Sequence, residues 1–139
     1  MQYQRLEQVR AHAAVAEARL PMTREQRLRR WSDVLKRHGS YPLEALRWVE
    51  FYAEPERRRL RRDGSPVALA FADPVLRAAG LSGDTLGDAQ LFFGLSDDEA
   101  HQLLCDCHYQ GMLNGRTAAR RVRGLARSGF LASVMRALF

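Results

Sequence analysis

The sequence lacks the short motifs that mark the common catalytic and nucleotide-binding folds. It contains no G-x-S-x-G nucleophile elbow, no G-x-x-x-x-G-K-S/T phosphate loop, no dinucleotide-binding fingerprint and no H-E-x-x-H zinc motif. Each of these motifs places a nucleophile, a phosphate group or a metal ion at a defined turn or helix. Since no reaction is indicated, we expect a protein that is not an enzyme and that has no cofactor.

Long apolar stretches are also missing. No run approaches the roughly 20 residues that a membrane span needs. The first 20 residues carry charges throughout, where a signal peptide would have an apolar centre. Only two cysteines occur, Cys105 and Cys107, and their spacing forms no disulfide framework. These absences predict a cytoplasmic protein that makes no membrane contact.

Lysine is scarce as well. Lys36 is the only lysine in 139 residues, so the net charge of +6 comes from arginine. The planar guanidinium group of arginine presents parallel N–H donors and therefore suits carboxylate and phosphate partners. A bias toward arginine is also typical of GC-rich genomes, so the choice of residue identifies no ligand. The charge is compatible with an acidic protein or a nucleic acid as partner.

Helix starts are the clearest positive signal. Thr23 with Gln26 and Ser96 with Glu99 have the spacing of capping boxes, in which two side chains satisfy free N–H groups of the first helical turn. Apolar residues recur every three or four positions in most segments between prolines and glycines. The sequence predicts an all-α, compact single-domain bundle of six to eight helices over residues 1–139, with orthogonal or irregular packing.

The predicted helices cover most of the chain. We expect helices over residues 3–19, 24–38, 42–53, 74–79, 85–93, 97–110, 116–127 and 130–138, and a short charged segment over 56–62 in which Pro55 restarts the helical register. Gly129 is expected to separate the last two. The stretch after Pro66 alternates large apolar residues with alanines, and we expect an apolar loop there because a lone strand has no partner. The core contribution of the 85–93 helix is predicted to be Leu86, Ala89, Leu91, Phe92 and Phe93.

The N-terminal segment, residues 1–20, carries a narrow apolar seam. Its members recur at 3-4-3-4 spacing and are Leu6, Val9, Ala13, Ala16 and Leu20. The seam predicts a helix that packs along one other helix. Because two heptads are too short to specify a coiled coil, docking within the chain and a homodimer are both compatible with it.

The predicted 97–110 helix concentrates potentially reactive side chains. His101, Cys105 and His108 would follow each other at one-turn intervals on one flank. The core face would hold Ala100, Leu103, Leu104 and Cys107. A neighbouring imidazolium lowers a thiol pKa, and zinc binds both side-chain types, so a metal- or redox-responsive site is one hypothesis. Without a second ligand pair elsewhere, a boundary between core and solvent is the favoured interpretation.

Two groups of arginines are the candidate residues for binding a partner or phosphate. The first is a run before Asp63, and the second is a stripe on the predicted 116–127 helix. The run comprises Arg57, Arg58, Arg61 and Arg62, and the stripe comprises Arg116, Arg120, Arg123 and Arg127. A solvated helix surface is the competing interpretation, since the helix dipole also favours cations at a helix C-terminus.

These patterns favour a small helical adaptor or regulatory protein that binds an acidic protein partner. Trp48, Phe51, Tyr52 and the last helix are candidates for additional apolar contact. The alternative is a protein that binds nucleic acid nonspecifically, because an all-arginine stripe suits phosphate better than base edges. A helix-turn-helix is disfavoured, since the loop from 110 to 115 is long for the tight turn.

Overall fold

The computed structural model describes part of the chain in detail. The described residues are 21–45, 53–105, 109 and 113–138. They include α1 (Arg24–His38), α2 (Glu54–Arg59), α3 (Pro66–Ala72), α4 (Pro74–Ala78), α5 (Leu86–Phe93), α6 (Asp97–Leu104) and α7 (Gly115–Leu138). A π-helical turn, Leu60–Gly64, directly follows α2. The architecture is an all-α, compact bundle, as the sequence predicts.

Helices α1 and α7 make the most extensive contact in the described structure. They run antiparallel: the Arg116 amide donates to the Gly39 carbonyl at 2.9 Å, and Ser32 Oγ donates to the Ala119 carbonyl at 2.9 Å. The buried face of α7 comprises Ala118, Ala119, Val122 and Ala126. These positions recur at helical spacing and so form one apolar face.

Trp31 of α1 lies at the centre of the core. Its indole ring is fully buried and stacks on Phe93 of α5, with ring centroids 4.2 Å apart. The indole N–H donates to the Pro66 carbonyl at 2.9 Å, so the polar end of the ring is also satisfied. One side chain thereby packs against both α3 and α5, and it positions α3, which carries the candidate site.

The two helix starts that the sequence marks with capping boxes are confirmed. Both capping boxes are present, at Thr23–Gln26 and at Ser96–Glu99. Helix α1 has the predicted bounds of 24–38, and Gly39 closes it with a φ of 66°. This left-handed conformation favours glycine because a Cβ atom would be strained there.

Helix α3 corrects the prediction of an apolar loop after Pro66. Ser65 caps the helix by accepting a hydrogen bond from the Ala68 amide at 3.2 Å, and Pro66 occupies its first turn. The alternation of large residues with alanines was misleading because Ala68 and Ala70 are themselves fully buried. A helix that is apolar on nearly all sides belongs inside a protein, and α3 is such a helix.

Helix α6 is shorter than the predicted 97–110 helix. It ends at Leu104, and Cys105 has extended backbone angles, φ −96° and ψ 130°. The start and core face of the helix are confirmed, since Ala100, Leu103 and Leu104 are buried. The predicted end was wrong, because apolar spacing in the sequence continues past the point where the tertiary structure turns the chain.

Helix α7 is longer than predicted. It continues through Gly129 to Leu138, so the two predicted helices 116–127 and 130–138 are one. A glycine inside a helix costs about 1 kcal/mol relative to alanine, which flanking helical residues can offset.

Residues 42–45 are not helical, contrary to the prediction of a helix beginning at Pro42. Pro42 forms a backbone bridge with Asn114, and the Leu43 amide donates to the Leu113 carbonyl at 2.8 Å. Backbone hydrogen bonding to the segment before α7 therefore replaces the expected helical turn.

The prediction for the core of α5 is partly correct. Ala89, Phe92 and Phe93 are buried, whereas Leu86 is 46% and Leu91 is 86% exposed. Leu91 lies on the side of the helix opposite the stripe formed by Ala89 and Phe93, whereas Leu86 lies at the edge of that stripe, in the first helical turn.

Several predictions lie outside the described residues. They concern the seam of residues 1–20, the aromatic residues Trp48, Phe51 and Tyr52, and the side chains of Cys107 and His108. Within the described ranges, no helix is long and apolar enough to cross a membrane.

Candidate functional site

The arginine run lies on α2 and the π-helical turn, where acidic neighbours bind part of it. Arg58 Nε lies 3.3 Å from Glu54 Oε1, and Arg59 Nη2 lies 2.6 Å from Glu56 Oε1. The hydrogen bond from Arg59 holds the pKa of the Glu56 carboxyl below its ordinary value. Exposed pairs of this kind contribute little to stability.

The π-helical turn divides the run into different environments. Leu60, the first residue of the turn, is buried. Arg58 and Arg62 are exposed and lie four residues apart. Residues at this spacing lie on the same side of a helix. Arg57 is partly buried and lies 3.9 Å from Glu54, and the side chain of Arg61 is outside the described part.

An open cleft of about 340 Å³ brings Arg58 and Arg62 together with a third arginine, Arg77 of α4. The remaining lining residues are Phe71 and Ala72 of α3 and Asp84 of the loop before α5. The lining thus combines three guanidinium groups from separate helical segments with the apolar side chains of Phe71 and Ala72, which we call the floor of the cleft. We refer to this site as the basic cleft.

The floor of the basic cleft is formed by the end of α3. Phe71 is partly buried and packs against the hydrophobic core, and Ala72 is exposed. The Arg77 guanidinium carbon lies over the Phe71 ring, 5.9 Å from its centroid. This cation–π distance is at the outer limit of a favourable contact. The Arg77 side chain therefore contacts the ring weakly and remains exposed to solvent.

A second cleft, of about 310 Å³, shares Ala72 with the basic cleft. We call it the α1–α3 cleft. Its lining combines apolar and basic side chains with one acid: Val34, Arg37, His38, Leu69, Ala72, Asp73 and Pro74. Since Ala72 is exposed and lines both clefts, the two clefts meet at the end of α3.

The Asp73 carboxylate is already bound within the protein. Arg30 Nε donates to Asp73 Oδ2 at 3.0 Å, and Arg30 Nη2 donates to Asp73 Oδ1 at 2.7 Å. Burial would raise the pKa of Asp73, but the hydrogen bonds from Arg30 and from the Leu76 amide outweigh it and hold the pKa below its ordinary value. The α1–α3 cleft therefore presents little uncompensated negative charge.

The arginine stripe lies on the solvent side of α7. Arg116, Arg120 and Arg127 are exposed, as the sequence pattern suggests. Arg123 differs, because its Nη2 atom donates to Asp33 Oδ1 of α1 at 3.0 Å. The stripe thus offers three exposed arginines, while the fourth links α1 to α7.

The proposed flank of His101, Cys105 and His108 is not formed by a continuous helix. His101 is exposed on α6, whereas Cys105 follows the helix end and is 3% exposed. His108 lies outside the described residues. Among the described side chains, no group of three histidines, cysteines or acids has the arrangement of a metal site.

Sequence reasoning did not identify Arg77 or the floor residues Phe71 and Ala72. Arg77 lies in a correctly predicted short helix, but nothing in its local pattern links it to the run near Arg62. The alternating pattern after Pro66 predicts a loop, and it does not indicate a helix with an exposed end at Ala72. The one local signal for α3 is the pair Ser65–Pro66, because serine before proline is typical of a helix start.

Comparisons with protein-family models, with curated proteins and with solved structures gave no match to this chain. Function must therefore be argued from the side chains and their arrangement.

Proposed function

We propose that this chain is a small, cytoplasmic, non-catalytic helical adaptor or regulatory protein that binds an acidic protein partner. The supporting observation is the convergence of Arg58, Arg62 and Arg77 on one cleft. A concave surface lined by one sign of charge concentrates the electrostatic field and attracts ligands of the opposite sign. The net charge of +6 favours approach by such a partner over long distances.

The chemistry of these side chains favours binding over catalysis. Arginine stays protonated at any physiological pH, so it positions anions and does not exchange protons with a substrate. The one carboxylate of the cleft, Asp84, stands among three guanidinium groups. Such an arrangement is suited to recognising carboxylate groups through paired hydrogen bonds.

Nonspecific nucleic-acid binding is the second candidate, and the stripe on α7 favours it. Arg116, Arg120 and Arg127 extend over about 16 Å of helix, at 1.5 Å per residue, and all three are exposed. A linear array of arginines suits a phosphate backbone, and such binding would weaken steeply with salt.

A capture experiment with matched variants tests the proposal. Wild-type protein, the cleft variant Arg62→Glu/Arg77→Glu and the stripe variant Arg116→Glu/Arg120→Glu are immobilised and exposed to nuclease-treated lysate of the source cells. We expect the wild type and the stripe variant to retain the same acidic protein, and the cleft variant to lose it. Equal capture by all three proteins would contradict the role of the cleft.

A salt titration separates the second candidate. Binding of a labelled DNA duplex and of a labelled single strand is followed by fluorescence anisotropy at increasing salt. The proposed function predicts weak binding that does not depend on the cleft. Tight binding with a steep salt slope, reduced in the stripe variant, would favour the nucleic-acid binder.

A further inference from the structure

We infer that the basic cleft and the α1–α3 cleft together bind one extended acidic segment of a partner protein, with an apolar side chain of that segment seated on Phe71 and Ala72. This inference rests on the proposed function and specifies the ligand class.

The composition of the basic cleft indicates a ligand with both charge and apolar surface. Its lining includes the charged side chains of Arg58, Arg62 and Arg77 and, at the floor, the apolar side chains of Phe71 and Ala72. A small inorganic anion would pair with the rim but leave the floor in water. A purely apolar ligand would cover the floor but remove water from guanidinium groups without adding a hydrogen-bond acceptor, which is costly. A carboxylate-bearing segment with an apolar residue satisfies both parts.

The floor does not suit a stacked nucleobase. Proteins that bind single strands present exposed aromatic faces to successive bases. Phe71, by contrast, is a single ring that packs partly buried against the core, so the cleft offers no series of aromatic faces to successive bases. The Asp84 carboxylate in the cleft lining repels negative charge on a ligand. A phosphate chain carries a charge at every unit and cannot avoid this repulsion, whereas a peptide can place its separated carboxylates away from Asp84.

The position of Ala72 indicates that the ligand is extended. Ala72 is exposed and lines both clefts, so a chain that crosses it contacts both. Beyond Ala72, the α1–α3 cleft again combines a basic side chain, Arg37, with apolar ones such as Val34 and Leu69. Its acid, Asp73, is bound by Arg30 and does not oppose an acidic ligand strongly.

The size of the clefts limits the segment to a few residues. At about 340 and 310 Å³, each is at the lower end of the range for ligand pockets. Each can hold one or two side chains, so a short peptide should reproduce the interaction.

The inference is tested with labelled peptides and fluorescence anisotropy. The probe is a blocked peptide in which phenylalanine is flanked on each side by two glutamates. One comparator has serine in place of phenylalanine, another has glutamine in place of every glutamate, and a third is a short DNA single strand. Because the floor buries apolar surface, we expect the probe to bind about tenfold more tightly than the serine peptide. We expect the glutamine peptide to bind at least about fivefold more weakly than the probe.

Two substitutions locate the binding, each with a matched control. Ala72→Glu places a carboxylate on the shared floor and should weaken probe binding by about tenfold or more. Its control is Ala78→Glu, the same change at an exposed alanine that ends α4 and lies outside both clefts. Arg77→Glu should weaken binding by about fivefold, whereas Arg120→Glu on α7 should leave it unchanged. Circular dichroism and thermal unfolding verify that each variant is folded.

The outcomes distinguish this inference from the proposed function. If Ala72→Glu and Arg77→Glu are folded and bind the probe like the wild type, the inference is wrong, although an acidic partner could still be captured through other arginines. Equal affinity for the phenylalanine and serine peptides would show that no apolar side chain of the ligand binds on Phe71 and Ala72. If the DNA strand binds more tightly than the probe and Ala72→Glu weakens that binding, the ligand of the clefts is nucleic acid and the inference is wrong. Absence of both probe binding and a captured acidic protein would overturn the inference and the proposed function together.

Discussion

Arg30 of α1 binds the carboxylate of Asp73 through two hydrogen bonds, at 3.0 and 2.7 Å, and so joins α1 to the start of α4. The same carboxylate caps α4 by accepting a hydrogen bond from the Leu76 amide at 3.1 Å. The Asp73 side chain is only 5% exposed. One buried carboxylate therefore helps to set the position of α4, which contributes Arg77 to the basic cleft.

Removal of the Asp73 charge should destabilise the fold. Asp73→Asn keeps the size of the side chain and an oxygen that can cap α4, but it leaves the Arg30 guanidinium without its ionic partner. We expect a loss of about 2 kcal/mol in the free energy of unfolding, measured by urea denaturation. The control is Asp33→Asn, which removes the exposed partner of Arg123 and should cost less than about 1 kcal/mol. Equal losses in the two variants would contradict the special role of Asp73.

The stabilisation from Asp73 should depend on pH. Because its pKa in the folded protein is below the ordinary value, the unfolded chain binds the proton first as the pH falls. The contribution is therefore complete above the unfolded-state pKa, about 3.9, and is lost as the pH falls through the folded-state pKa. Urea midpoints of wild type and Asp73→Asn should differ at neutral pH and converge in acid. A gap that persisted unchanged in acid would show that the carboxylate charge is not its source.

Gly115 allows the close approach of α1 and α7. A Cβ atom at this position would collide with the Leu35 carbonyl oxygen and lie 2.9 Å from the Gly39 nitrogen. Gly115→Ala should therefore destabilise the protein by about 2 kcal/mol, although alanine is the better helix former. Gly124 of the same helix is exposed, with nothing within 4 Å of an added Cβ atom. Gly124→Ala should stabilise by about 0.5–1 kcal/mol. Thermal unfolding followed by circular dichroism compares the two, and opposite signs are the expected result.

Tyr109 should resist ionisation. Burial raises its pKa to about 12, and the nearby Arg121 guanidinium, 4.2 Å from the ring centroid, only partly opposes this effect. The Tyr109 hydroxyl also donates to the Leu103 carbonyl at 2.8 Å. Tyr109→Phe should cost about 1 kcal/mol at neutral pH.

The pH dependence gives an independent check on Tyr109. A raised pKa stabilises the fold below the unfolded-state value of about 10, and this contribution is lost as the pH rises toward about 12. Wild-type stability should fall over that interval, and the fall should be smaller in Tyr109→Phe. A parallel decline of the two proteins would contradict the assignment.

Local sequence was sufficient to predict where most helices begin. The pairs Thr23–Gln26 and Ser96–Glu99 act within one helical turn, so their effect does not depend on the rest of the fold. The all-α class was predictable for the same reason, because caps and apolar spacing agree over much of the chain.

Local sequence could not predict where helices end or which short apolar segments are buried. Gly129 lies inside α7 because a glycine is a weak helix breaker, and α6 stops at Leu104 despite a favourable pattern beyond it. Helix α3 forms where buried alanines allow close packing, as the complete burial of Ala68 and Ala70 shows. For α3, contacts made in the folded bundle outweigh propensities of a fraction of a kcal/mol per residue.

The candidate site also combines features that the sequence predicts with features that only the tertiary structure decides. The charge of Arg58 and Arg62 and their shared helical face were readable from the sequence by itself, because four-residue spacing is a local property. Their proximity to Arg77, Phe71 and Ala72 was decided only by the tertiary structure. Packing of Trp31 against α3, and the Arg30–Asp73 pair that holds α4, place these residues at one cleft. Such contacts join positions tens of residues apart, and no short-range pattern in a single sequence encodes them.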